Sequence, residues 1–148
     1  MTSEENLRIF MQDYHRVLNA KDFGGLVEFL DFPFEVTAKN TKLNLRCAAD
    51  VVEAFSVFQG IMDQRGVHRV YREVVLAHVA DLREAIVGTE EIAVNAKNET
   101  IVTWRTSYLL ARKNGVWRMT HVNAINHDEA WEKRGEKSLH AAAVSSLC

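Results

Sequence analysis

Residues 99–126, ETIVTWRTSYLLARKNGVWRMTHVNAIN, read as two long strands folded back on one another at Asn114-Gly115. An Asn-Gly pair supplies the two positive-φ residues of a primed two-residue turn, and β-branched and aromatic residues crowd both flanks. Counting outward from that turn sets Lys113 opposite Val116, Arg112 opposite Trp117, Leu110 opposite Met119, Tyr108 opposite His121, Thr106 opposite Asn123 and Trp104 opposite Ile125. With a side-chain period of two, one face then carries Trp104, Tyr108, Leu110, Met119 and His121. The other carries Arg105, Ser107, Leu109, Ala111, Arg118, Thr120, Val122 and Ala124. The first face is aromatic and apolar with a few polar groups set into it, the composition of a wall that holds a small molecule and fixes its orientation.

The rest of the chain bounds this reading. Its 148 residues, 47% of them hydrophobic, fit one domain able to bury a core without metal or disulfide staples. A formal charge of −2, with acidic and basic residues intermixed, leaves no basic stripe to follow a phosphate backbone, so nucleic acid is not an expected partner. Cys47 and Cys148 have no CxxC or metal-ligand spacing and are read as two free thiols of a reduced intracellular protein. The chain opens with Thr, Ser and two Glu where a signal peptide would carry positive charge, and no apolar run reaches membrane-spanning length. A soluble, cytoplasmic protein with no membrane partner is expected.

Periodicity divides the chain in two. Leu7, Phe10, Met11, Tyr14, Val17 and Leu18 recur at helical spacing after Ser3, a candidate N-cap. A shorter helix follows from about Asp22, weakened by Gly24-Gly25 and closed by Pro33. Residues 34–46 read as a small hairpin turning near Lys39-Asn40-Thr41, and residues 48–65 as a third helix with Val51, Val52, Phe55, Phe58 and Met62 on one stripe and Gly66 at its C-terminal cap. After Gly66 the period changes to two. Residues 67–80, 83–95 and the two arms of the 99–126 hairpin make four long strands in an antiparallel meander. A short helix anchored by Trp131 follows, and the Ala/Ser-rich end is expected to be mobile. The fold class is α+β: a curved antiparallel sheet, a four-strand meander plus a short hairpin, packed on three N-terminal helices. A single domain over 1–137 and a tail over 138–148 are expected.

This order of elements, together with the Asn-Gly-Val-Trp-Arg-Met-Thr-His run at 114–121, resembles the SnoaL-like branch of the nuclear transport factor 2-like superfamily. The resemblance covers roughly residues 4–131. It implies a cone, a curved sheet wrapped over a long first helix with a pocket inside. Its marker is Gly115, Trp117, Met119 and His121. The fold hosts isomerases, cyclases, dehydratases, epoxide hydrolases and non-catalytic binding modules, so it does not by itself select a function. Isomerase-type members take an acid from the first hairpin, and Val36-Thr37-Ala38-Lys39-Asn40 has none. Cyclase-type members use a carboxylate near the last strand, where this chain has His121 and Asn123. Dehydratase-type members combine a helical Tyr with sheet His residues, which Tyr14, His78 and His121 would supply.

Each candidate has a catalytic and a packing interpretation. His121 is either a general base titrating near neutral pH, oriented by Tyr108, or a core histidine. Tyr14 is either a donor to a developing oxyanion or a core aromatic. Trp104, Tyr108 and Met119 form ligand-facing walls or simple packing, Asn123 fixes a ligand carbonyl or satisfies a strand end, and the direction of His78 is open because both faces of its strand are similarly apolar. The six His do not pair at ligand spacing, and neither a metal nor a cofactor is expected. Two functions remain: a proton-transfer enzyme acting on a compact apolar carbonyl or hydroxyl compound, with His121 as base and Tyr14 as acid, or a non-catalytic ligand-binding or dimerisation module. The mixed apolar outer face of the hairpin predicts a homodimer.

Overall fold

The computed structural model describes residues 2–39, 41–136 and 147–148. Helix α1 spans Ser3–Asn19. Its N-cap is Thr2 and not Ser3: the Thr2 hydroxyl accepts the Glu5 N–H while the Glu5 carboxylate accepts the Thr2 N–H, a reciprocal capping box. Leu7, Met11 and Tyr14 line its buried face. The second helix is a single 3-10 turn, Gly25–Phe29, because Asp22 caps the Gly25 N–H and the chain turns extended at Leu30. Pro33 does not close it but lies inside strand β1, Leu30–Ala38, after a cis peptide bond. Strand β2 is Thr41–Leu45, and helix α2 is Ala48–Gln64, ended by Gly66 at φ +79°, a left-handed conformation that glycine adopts without strain.

Strands β3 (Arg69–Val79), β4 (Glu84–Val94), β5 (Thr100–Lys113) and β6 (Val116–Ala124) follow, then the short helix α3, His127–Glu132. The meander and the first hairpin join in one curved, unclosed six-stranded sheet of order β2-β1-β6-β5-β4-β3. All neighbours are antiparallel except β1 and β6, which run parallel. Two clusters form the core. The larger joins α1 and α2 to the sheet through Leu7, Met11, Phe34, Val51, Leu110 and Met119; the smaller joins α3 to β4 and β5 through Ala93, Val102, Trp104 and Trp131.

Asn114 and Gly115 have φ of 53° and 76°, as the primed turn requires, and the ladder runs as expected from Lys113–Val116 to Leu110–Met119. Beyond that point β6 carries one extra residue, Thr120. Leu109 then faces His121, Tyr108 faces Val122, Ser107 faces Asn123 and Thr106 faces Ala124. Every β6 side chain after the bulge therefore lies on the opposite face from the one the turn count predicts. The β1–β6 register breaks at the same level, between Leu30–Met119 and Glu35–His121, where Pro33 has no N–H to give to a ladder.

The cysteines are not free. Cys47, at the N-cap of α2, and Cys148 form a disulfide across a sequence separation of 101. Buried Asp50 braces that junction, accepting the Arg46 and Leu147 backbone N–H groups at 3.0 and 2.6 Å. The disulfide removes the ground on which a reduced compartment was expected. No helix among the described residues is long and apolar enough to cross a membrane. The expected mobile tail falls largely on 137–146, outside the described residues.

Candidate functional site

Because α1 and α2 cross the concave face of the sheet without filling it, a cavity of about 520 Å³ is left between them. Leu18 of α1 and Phe55, Phe58 and Met62 of α2 form one wall. Val36, Val122 and Ala124 form the floor where β1 meets β6, and Trp104 and His127 close the end under α3. The volume is that of an ordinary small-molecule site.

The polar groups of this cavity come from strands whose alternation points them inward. On β4 the buried residues Ala85, Val87, Thr89, Glu91 and Ala93 share one face, so Glu91 enters the interior and Glu90 does not. Arg72 on β3 and Trp104 on β5 are its direct neighbours across the sheet. The Arg72 Nε donates to Glu91 Oε1 at 2.8 Å, with both side chains well buried. Thr106 donates a short hydrogen bond to Glu91 Oε2, and the Tyr108 hydroxyl approaches Oε1 at 3.5 Å. A second donor of Arg72, on Nη1, reaches the Asn19 side-chain oxygen at the end of α1. A buried carboxylate met by a cation and hydroxyl donors compensates its lost hydration.

Tyr14 and His15 stand over this cluster from α1. The Tyr14 ring meets Tyr108 edge-on at 6.0 Å and Phe29 at 5.8 Å, and its hydroxyl has no hydrogen-bond partner among the described residues. Burial, with the Glu91 charge adding to it against Arg72, pushes the Tyr14 phenol far above its ordinary value. Burial, followed by Glu91, does the same to Tyr108. Tyr14 is therefore a neutral donor at any ordinary pH. His15 is pushed down to about 4, first by burial and then by the Arg72 charge, so its imidazole is neutral.

Of the residues singled out from sequence, Tyr14, Trp104 and Tyr108 are brought together on this cavity. Four are not. His121 lies past the bulge on the outer face, where its Nε2 is 2.8 Å from Thr37 Oγ1, and Tyr108 does not orient it. Asn123 shares that outer face opposite Ser107 and Thr37. Met119 is fully buried in the closed core opposite Leu110. His78 is exposed, paired with Ile86 on the outer side of β3 and β4. Val122 and Ala124, expected outside, face the cavity. Sequence reading missed Glu91, Arg72 and Thr106. The signal was present, because alternation along 84–94 requires one of the adjacent Glu90 and Glu91 to point inward.

Among the described residues, the group with potential metal ligands is Cys47, Asp50 and Cys148; its sulfurs are bonded to each other, and none of the three lines the cavity.

Residues 3–127 match the family model described as NTF2-like protein (DUF6841). The chain belongs to this NTF2-like family. No curated protein matches it. Among solved structures, the NTF2-like fold recurs in an NTF-2 like protein of unknown function from Shewanella oneidensis, 9% identical, with 84% of this chain and 99% of that one aligned at a TM-score of 0.64. An NTF2-like protein with a cystatin-like fold from Novosphingobium aromaticivorans aligns over 88% of this chain and 86% of its own, at 12% identity and a TM-score of 0.64. A ketosteroid isomerase-like protein from Erwinia carotovora atroseptica aligns over 80% and 91%, at 14% identity and a TM-score of 0.61. At such identities these NTF2-like structures share the fold with this chain, and the fold alone.

Proposed function

We propose that this NTF2-like protein binds a compact, largely apolar small molecule in the cavity between α1, α2 and the concave sheet. The observation that carries the reading is the lining itself: aromatic and aliphatic walls with a small number of inward polar groups, Tyr14, the Arg72–Glu91 pair and Thr106 among them. A fragment screen by ligand-detected NMR tests it, run on the parent and on Ala124→Trp, which fills the floor with an indole. Hits that vanish with Ala124→Trp support the cavity. Hits unchanged by it, or none at all, sink it.

A second reading, proton transfer on a carbonyl or hydroxyl compound, is favoured by Glu91, a cavity carboxylate beside the neutral donor Tyr14. Binding ranks first because the Glu91 oxygens already accept from Arg72, Thr106 and Tyr108, which leaves less room for a proton taken from a ligand. Turnover of any bound carbonyl compound, lost in both Glu91→Gln and Tyr14→Phe with binding kept, would promote this reading.

A homodimer through the outer sheet face belongs to the same proposal. That face exposes Ile86 and Leu109 as direct neighbours on β4 and β5, with Leu76 of β3 diagonal to Ile86 and Tyr71 beside Ile92 further along. An apolar patch of this kind is commonly covered. Sedimentation equilibrium reads the mass directly, and Leu76→Glu should shift a dimer toward monomer. A monomer across micromolar concentrations removes the dimer.

A further inference from the structure

The end of the cavity under α3 carries two buried polar atoms that the fold leaves without partners. His127 lines the cavity and is 4% exposed. Its Nε2 accepts the Trp131 indole N–H at 3.2 Å. An indole can only donate, so that nitrogen holds its lone pair and the neutral ring carries its proton on Nδ1. Nδ1 is buried and makes no hydrogen bond; the Asp128 Oδ1 stands 3.5 Å away without closing one. Thr41 also lines the cavity, 7% exposed, and its hydroxyl is likewise buried and unpartnered.

The topology brings both to the same end. Thr41 pairs with Ala38 at the tip of the first hairpin, and Lys39 of that tip is tied to Glu132 of α3 at 3.3 Å. Thr37, one residue back, lies beside Asn123 on β6, which runs on into His127. Trp104 meets His127 edge-on at 4.8 Å and supplies an aromatic surface beside the imidazole. A buried donor without an acceptor is costly, so a ligand group that accepts from both atoms gains binding free energy that an apolar group of the same shape does not.

We propose that His127 Nδ1–H and the Thr41 hydroxyl form an oxygen-binding subsite, and that the ligand is a flat apolar molecule whose neutral carbonyl oxygen accepts from both while its body lies against Trp104, Val67 and Met62. A carbonyl oxygen has the two lone pairs that two donors require. A neutral oxygen suits the pair because a ring that accepts from Trp131 brings no charge of its own to offset a carboxylate. The proposal rests on the cavity being a binding site and adds where the ligand's polar atom sits and what it is.

The test compares two probes of one shape, 2-acetylnaphthalene and 2-ethylnaphthalene, titrated into the full chain with tryptophan fluorescence as readout. The ketone is expected to bind at least tenfold more tightly than the hydrocarbon, and that ratio to fall severalfold in Thr41→Val, which removes the hydroxyl and keeps the shape. His127→Phe should reduce it too, and Thr41→Val keeps the test decisive if the loss of the Trp131 bond unfolds that variant. In His121→Asn, on the outer face of the sheet, the ratio should persist. Equal binding of both probes by the parent, or a ketone preference that survives Thr41→Val, overturns the subsite while leaving the cavity reading intact. If neither probe binds, the cavity reading falls and the subsite with it.

Discussion

The Thr120 hydroxyl donates to the carbonyl oxygen of Leu109 at 3.3 Å, and at that bond β6 gains the one residue that reverses the faces of everything after it. The side chain stands in for ladder hydrogen bonding that the bulge disrupts. His121 is thereby turned away from Tyr108 and out of the cavity.

His121→Asn should therefore leave the cavity untouched. It removes a half-exposed imidazole held by Thr37, with an expected loss of about 1 kcal/mol or less. Deleting Thr120 should keep the faces as they are, because it closes the bulge into a regular ladder in which His121 still meets Leu109 and Val122 still meets Tyr108. Urea melts of the two variants check this; a loss of about 3 kcal/mol or more on deleting Thr120 would mean that the fold needs the bulge itself and not only the register it sets.

Glu91 and Arg72 should behave as a unit. Glu91→Ala leaves a buried guanidinium without its carboxylate and should cost about 3–5 kcal/mol. The double variant Arg72→Met/Glu91→Leu replaces the pair with apolar volume and should recover most of that. A double-mutant cycle in guanidinium chloride measures the coupling, and simple additivity would remove the pair as a structural element.

His15 predicts an acid limit. Its folded value, about 4, lies below the 6.5 of an unconstrained imidazole, so between those two pH values the unfolded chain binds the extra proton. The contribution is present in full above pH 6.5 and is lost as pH falls toward 4, amounting to roughly 3 kcal/mol. Melts at pH 7 and pH 4.5 should show the parent losing more than His15→Gln. Parallel losses would place the acid sensitivity elsewhere.

Much of this molecule is legible without coordinates. The 3.6 period around Leu7, Met11 and Tyr14 identifies α1, Asn114-Gly115 identifies the hairpin, and Gly66 marks where α2 stops, because each is a local preference that tertiary packing reinforces. The bulge at Thr120 is not local. Its register depends on the meeting with β1 around Pro33, 87 positions earlier in the chain, and no periodicity within 116–124 encodes that. The site suffered from this one residue: Tyr14, Trp104 and Tyr108 precede the bulge in sequence and line the cavity, whereas His121 and Asn123 follow it and do not. Glu91 was readable from alternation alone, but its counter-ion sits on another strand, and without Arg72 a buried carboxylate looks too costly to expect.

Reducing the Cys47–Cys148 bond should lower stability by up to about 4–5 kcal/mol, the loop-closure value for roughly a hundred residues. Cys148→Ser should match the reduced parent. Thermal melts with and without dithiothreitol check both, and an unchanged midpoint would mean that the link adds nothing to the fold.

The same bond has a consequence for how the chain comes apart. It closes α2, all four meander strands and α3 into one covalent ring, with Lys97-Asn98 as an exposed turn on its circumference. A protease that nicks that turn opens the ring without releasing a piece. The cleaved protein would run as a single species on a non-reducing gel and as two after reduction.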